Sequence, residues 1–173
     1  MLKLINALEM QPANVIEYKN SYKKEEINSE IITLIDKDYQ EYIFLIEHIM
    51  LYYLVNDINP DYILGDISIK NIPGIDYYSD RNSGHIGYSI RPSERRKGYG
   101  NNMLNLALKE CANARMKEVS ISCLQSNTAS EKIILNNGGV FDCEWIDEVT
   151  KEKANKYWIK LDQEKVKTKL YKD

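Results

Sequence analysis

The sequence predicts an α/β fold around a mixed sheet, and three observations carry that prediction. Apolar residues alternate over several short runs, other stretches switch to helical spacing, and clusters of Gly, Pro, Asn and Asp punctuate the boundaries. Between residues 84 and 123 a strand, a helix and a second strand follow one another, an order that implies a parallel pair joined by a right-handed crossover.

Each element can be justified in turn. From about Lys24 to His48, Ile27, Ile31, Ile32, Leu34 and Ile35 and then Tyr42, Ile43, Leu45 and Ile46 fall at helical spacing, which predicts two helices with a bend near Asp38. Met50 to Val55 is a β-type run, Asn56 to Asp61 supplies turn chemistry, and Tyr62 to Ile69 completes an antiparallel hairpin. After a loop from Asn71 to Ser83, Gly84 to Ile90 alternates as a third strand and stops at Arg91-Pro92. From Tyr99, Leu104, Ala107, Leu108 and Cys111 form one stripe with Met103 and Leu106 beside it, so a helix is expected to end near Met116.

Val119, Ile121 and Cys123 then alternate with Ser120 and Ser122 as a strand. A further helix starts at Asn127 or Thr128, where Thr128 and Glu131 fit a capping box, and stops at Asn136-Asn137-Gly138-Gly139. Val140 to Ile146 and Tyr157 to Leu161 read as two strands able to pair antiparallel, and Glu164 to Asp173 as a charged surface tail.

Bulk properties narrow the function. A chain of 173 residues, 43% hydrophobic and 28% charged, suits one globular domain over residues 1–173. No apolar run reaches the roughly 20 residues that span a bilayer, and the amino terminus lacks a signal-peptide pattern, so no membrane partner and a cytoplasmic location are expected. Acidic residues exceed basic ones, 26 to 23, which argues against nucleic acid and leans toward a cationic substrate. Cys111, Cys123 and Cys143 read as reduced core thiols, and the two histidines, His48 and His85, lack metal-ligand spacing, so no metal is expected.

The chemistry concentrates in Arg91-Pro92-Ser93-Glu94-Arg95-Arg96-Lys97-Gly98-Tyr99-Gly100-Asn101-Asn102. Two glycines one residue apart at a helix start permit tight turning and close backbone approach. The unpaired first-turn amides and the helix dipole make a site for an anion such as pyrophosphate, and Arg95, Arg96 and Lys97 add charge there. The alternative is a solvated basic run in which the glycines merely cap a turn. A P-loop is excluded by the missing Gly-Lys-Ser/Thr, and a dinucleotide fingerprint by Met103 in place of a third glycine.

Arg95-x-x-Gly98-x-Gly100 resembles the Arg/Gln-x-x-Gly-x-Gly/Ala signature of the GNAT superfamily of N-acetyltransferases. The strand Gly84 to Pro92 is similar to the one preceding that signature, and Asn127-x-x-Ser130 with Asn137-Gly138-Gly139 resembles the family's Asn-x-x-Ala/Ser helix. The resemblance runs from the hairpin near Leu51 to the strand near Leu161. It implies a GNAT-like, mostly antiparallel mixed sheet with a central splayed parallel strand pair flanked by helices. Residues 84–139 would form the coenzyme A-binding core, and residues 1–50 a variable helical part on the acceptor side.

The resemblance also implies roles. Acetyl-CoA would be the cosubstrate, its pyrophosphate held by the loop from Arg95 to Asn101 through the amides of Arg96, Lys97, Gly98, Gly100 and Asn101, with Tyr99 inside the same turn. The pantetheine arm would pair with the backbone of Tyr88 and Ile90, and Asn127 and Ser130 would lie on its other side, Asn127 serving equally as a helix cap. Transfer of acetyl to an amine acceptor of unknown identity needs a base, an oxyanion donor and an acid. His85 is the titratable candidate for the base, with an ordinary sheet role as its alternative. The tyrosine that many relatives carry seven residues after the Asn is replaced by Ile134, which leaves Tyr88, Tyr99, Tyr157 or water as acid. It also makes a non-catalytic acyl-CoA-binding module conceivable. A monomer and a homodimer are both compatible.

Overall fold

The structure, a computed structural model, describes residues 1–23, 49–70, 84–147 and 150–161. The helices expected between Lys24 and His48, the loop Asn71 to Ser83 and the tail from Glu164 lie outside the described residues. In chain order the elements are β1 (Leu2–Asn6), a 3-10 turn (Ala7–Glu9), α1 (Pro12–Asn20), β2 (Met50–Asn56), β3 (Gly65–Ile69), β4 (Ile86–Ile90) and a second 3-10 turn (Pro92–Glu94). Then follow α2 (Tyr99–Asn113), β5 (Glu118–Leu124), α3 (Thr128–Asn136), β6 (Val140–Ile146) and β7 (Lys153–Lys160).

The strands form two antiparallel sheets, ordered β1-β2-β3-β4 and β5-β7-β6. Alternation along each strand divides the first sheet into two faces. Leu54, Ile67, Ile69 and Ile86 pack with Met103, Leu104, Ala107 and Cys111 of α2 and with Val119, Ile121, Tyr157 and Ile159 of the second sheet. On the opposite face Leu51, Tyr53 and Val55 pack with Val15 and Tyr18 of α1. One sheet therefore separates a core shared with α2 from a core built on α1.

The expected hairpin is β2 and β3, paired in register from Met50 opposite Ile69 to Leu54 opposite Gly65. Its second strand starts at Gly65 rather than Tyr62, because the Leu64 amide bonds back to the Leu54 carbonyl at 2.8 Å and turns the chain. β6 and β7 pair antiparallel as expected, with β7 inserted between β5 and β6. That order makes β6 an outer strand and leaves Cys143 exposed, which corrects its reading as a core thiol; Cys111 and Cys123 are buried. β1 and α1 had no strong sequence signal.

The capping box at Thr128 is also corrected. Asn127 is the cap, its Oδ1 accepting from the Ser130 amide at 3.1 Å, which places Thr128 inside the helix and releases Glu131 to accept from the Tyr157 hydroxyl at 2.6 Å. Between β4 and β5 there is no ladder among the described residues. They meet in an isolated bridge of antiparallel type, Gly84 with Ile121, next to a bond from the His85 amide to the Ser120 carbonyl at 2.8 Å. The expected parallel direction of this pair is therefore carried by no hydrogen-bonded register.

Candidate active site

β4 ends at Arg91, and the Pro92–Glu94 turn leads into the glycine loop. Gly98 is the N-cap of α2 with φ 81° and ψ 0°, a left-handed conformation that costs a residue with Cβ about 1–2 kcal/mol. Arg96 is also left-handed, at φ 64°, a strain consistent with a backbone shaped for a ligand. No side chain caps the helix, and the amides from Arg96 to Asn101 find no acceptor among the described residues. A run of free N–H groups at the positive end of a 15-residue helix fits a pyrophosphate.

The loop's side chains are partly committed. Lys97 pairs with Glu94 at 2.8 Å, and Arg95 Nε donates to the Ile90 carbonyl at 3.3 Å, so Arg95 braces the exit of β4. Gly100 has a different reason to be glycine: an added Cβ would lie 2.6 Å from Ile133 Cδ1, so α3 sits close against the first turn of α2. Asn101 and Asn137 join the same two helices, Nδ2 of Asn137 donating to Oδ1 of Asn101 at 3.1 Å.

The β3–β4 register decides which backbone groups of β4 face the gap toward β5. Lys70 N donates to His85 O at 2.8 Å and Arg91 N to Leu64 O at 2.9 Å, and the same register pairs Asp66 with Ser89 and Ser68 with Gly87. By the alternation of an antiparallel ladder, Gly87 and Ser89 spend their backbone groups on β3, while Tyr88 and Ile90 turn theirs outward. These are the two residues expected to pair with the pantetheine arm. The Tyr88 side chain crosses to α3, its hydroxyl 2.8 Å from Ser130 Oγ, and burial pushes its pKa up to about 12. Cys123 of β5, read from the sequence only as a core thiol, lies beside the same Ser130 hydroxyl.

Tyr88, Ser130 and the loop are thus brought together, and Asn127 joins them through its cap. His85 sits elsewhere, where the two sheets touch. Its Nδ1 accepts from the Ser120 amide at 3.0 Å and lies 2.9 Å from Ser120 Oγ, with the Trp158 ring at 5.8 Å. Burial lowers its pKa, with Lys156 acting in the same direction. With Nδ1 engaged, the neutral ring carries its proton on Nε2 and has no spare lone pair for an incoming one. Ile134 is fully buried in the α2-side core.

A second polar cluster, absent from the sequence reading, lies on the α1 face. The Tyr18 hydroxyl donates to Asp66 Oδ1 at 2.7 Å and is 2.7 Å from the Tyr22 hydroxyl. Asp66 is buried, and desolvation pushes its carboxyl up to about 6. Beside it, buried Arg91 makes two bonds to Glu17, at 2.8 and 2.7 Å, donates from Nε to the Ile63 carbonyl at 2.6 Å and stacks 4.0 Å over the Tyr62 ring. A signal did exist in the sequence: a lone carboxylate inside an apolar β run, and two tyrosines spaced by four.

Comparison with known proteins agrees with this geometry. The family model described as an acetyltransferase (GNAT) domain matches residues 4–140. No curated protein matches the sequence significantly. Among solved structures, a chimera of the Vibrio cholerae spermidine N-acetyltransferase SpeG and hSSAT has a TM-score of 0.73 at 14% identity, covering 95% of this chain and 96% of that one. The ribosomal-protein-S5-alanine acetyltransferase of Vibrio fischeri has a TM-score of 0.68 at 18% identity, covering 93% and 92%. RimL, a ribosomal L7/L12 alpha-N-protein acetyltransferase in complex with coenzyme A, has a TM-score of 0.69 at 17% identity, covering 94% and 95%. At these identities the structures speak for the fold, and the family model spans most of the chain. The chain belongs to the acetyltransferase (GNAT) domain family, that of acetyl-CoA-dependent N-acetyltransferases.

Proposed function

We propose that this protein transfers the acetyl group of acetyl-CoA directly to a primary amine of a small molecule or protein. The observation that carries the reading is the run of unpartnered amides from Arg96 to Asn101 beside the outward-facing backbone of Tyr88 and Ile90. In this reading Arg96, Lys97, Gly98, Tyr99, Gly100 and Asn101 hold the pyrophosphate, with Arg95 bracing the loop. Residues 84–139 form the coenzyme-binding part, and residues 1–50 contribute to the acceptor side. The outward amide of Tyr88 or of Ile90 on β4 polarises the thioester carbonyl as negative charge develops on its oxygen. Tyr88, whose hydroxyl β4 holds against Ser130, is the candidate to protonate the departing thiolate. His85 is assigned a positioning role at the junction of the sheets.

A second reading, a non-catalytic acyl-CoA-binding module, is favoured by one observation: Ile134 stands in the core where many relatives place an acid. Thermal unfolding with and without acetyl-CoA tests both readings, since ligand at 100 times its Kd stabilises by roughly 2.7 kcal/mol. No stabilisation overturns both. Thiol release with spermidine and with a peptide beginning in alanine separates them: turnover supports the transferase, and stabilisation without turnover supports the module.

A further inference from the structure

Asp66 is a buried carboxylate that the coenzyme site does not use. On β3 it stands in register with Ser89 of β4 and Tyr53 of β2, and Tyr18 reaches it from α1. Tyr22, one helical turn beyond Tyr18, touches the Tyr18 hydroxyl, and the Ser89 side chain, opposite Asp66 in the β3–β4 register, lies near enough to the Tyr22 hydroxyl to act on it. The polarity of this chain follows from its end. An ionised carboxylate only accepts, so Tyr18 donates to Asp66 and Tyr22 donates to Tyr18, which leaves the Tyr22 oxygen to accept from the Ser89 hydroxyl beside it. Every hydroxyl proton then points inward, and half-buried Ser89 keeps its oxygen lone pairs for whatever lies in front of it. Ser89 also lies between Tyr88 and Ile90, the residues assigned to the acetyl-bearing arm.

We propose that Ser89, Tyr22, Tyr18 and Asp66 form a proton relay that deprotonates the acceptor ammonium, with Ser89 meeting the amine and Asp66 as the terminal base. The inference rests on the transferase reading above. An N–H bond of the ammonium breaks as a proton moves to Ser89 Oγ; Ser89 passes its own proton to Tyr22, Tyr22 to Tyr18, and Tyr18 to Asp66 Oδ1. The hydroxyls are unchanged in number and one proton has moved to the carboxylate. The neutral amine then bonds to the carbonyl carbon, the C–S bond breaks with its electron pair on sulfur, Tyr88 gives its proton to the thiolate, and the second proton lost by nitrogen restores the Tyr88 hydroxyl. Asp66 returns its proton along the same path to solvent.

The surroundings suit such a base. Burial raises the Asp66 carboxyl to about 6, near the value a base working at neutral pH needs. Among the described residues the groups facing it are Tyr18 from α1, Tyr22 just beyond the end of that helix, Tyr53 from β2, Ser68 on its own strand, and Ser89 from β4. Of the neighbouring cations, Arg91 lies 5.3 Å from the Tyr18 ring and is paired with Glu17, and Arg95 lies 5.9 Å from the Tyr22 ring. Neither forms an ion pair with Asp66.

The test is thiol release from acetyl-CoA between pH 5 and 9, with spermidine and the alanyl peptide as acceptor probes, for the wild-type chain, Tyr22→Phe and Asp66→Asn. Acetyl-CoA stabilisation is measured on each protein. In the wild type kcat/KM should rise through a limb near pH 6. Tyr22→Phe removes one oxygen and keeps the ring, so it should still be stabilised by acetyl-CoA while kcat falls at least tenfold and the limb disappears; Asp66→Asn should match it. A limb that survives in Tyr22→Phe, or wild-type kcat in either variant, overturns the relay and leaves the transferase standing. Wild-type stabilisation without turnover overturns the relay in favour of the binding module, and no stabilisation removes the transferase reading itself.

Discussion

At Gly98 and Gly100 the same residue type answers two different demands, and substitution separates them. A Cβ on Gly98 would meet open space but strain a backbone at φ 81°, whereas one on Gly100 would meet Ile133 Cδ1, the mobile end of a flexible side chain. Gly98→Ala is therefore expected to cost about 1–2 kcal/mol and to weaken acetyl-CoA binding. Gly100→Ala should cost less than about 1 kcal/mol, because better helix propensity offsets the crowding. Urea unfolding of both variants checks the order, and a costlier Gly100→Ala would refute it. Asp66 offers a second test through linkage. Its folded pKa is raised to about 6 from 3.8, so its contribution to stability is fully present below the unfolded value and is lost as pH rises through the folded one. The full loss, from well below pH 4 to well above pH 6, is on the order of 3 kcal/mol for a shift of this size. His85, whose pKa is depressed, acts in the opposite sense, its stability present above the unfolded value and lost as pH falls through the folded one. Asp66→Asn should abolish the Asp66 component and leave that of His85, as read from urea midpoints across pH.

At the scale of elements, Arg91 is the strap between α1 and the end of β4. Its guanidinium joins Glu17 of α1, the Ile63 carbonyl and the Tyr62 ring in one place, and the planar fork is what allows all three. Arg91→Lys keeps the charge and loses the fork, so a destabilisation of roughly 2–4 kcal/mol is expected from a shift in urea midpoint at constant m. Glu17→Gln retains an acceptor and should cost less. Most elements were legible because local chemistry marks them: the hairpin by its turn residues, α2 by its apolar stripe, α3 by Asn127 and the glycine stop. β1 and α1 were not, since each is short and is ordered by pairing with or packing on β2. The position of β6 was illegible for another reason: alternation gives strands but not their neighbours, and only the insertion of β7 put Cys143 on an exposed edge.

Across the whole molecule, two sheets touch at Gly84–His85 against Ser120–Ile121 and, among the described residues, share no ladder beyond it. Cosubstrate binding along β4 should then leave a localised footprint. Hydrogen exchange in the presence of acetyl-CoA is expected to slow at the amides of Tyr88, Ile90 and Arg96 to Asn101, with β1 and β6 unchanged; protection spread evenly over both sheets would contradict the assignment. The sequence by itself determined the glycine turn that opens α2, since a left-handed glycine, unpaired first-turn amides and basic residues are local properties of a dozen neighbouring positions. It also determined the strand, helix and strand around that loop and the family they resemble. Tertiary structure alone decided that Tyr88 and Ile90 face outward from β4, that His85 is held by Ser120, and that Asp66, Tyr18, Tyr22 and Ser89 meet. Those facts depend on strand register and on a helix docking across more than forty residues of chain, and neither register nor docking is encoded by the spacing of residues within one segment.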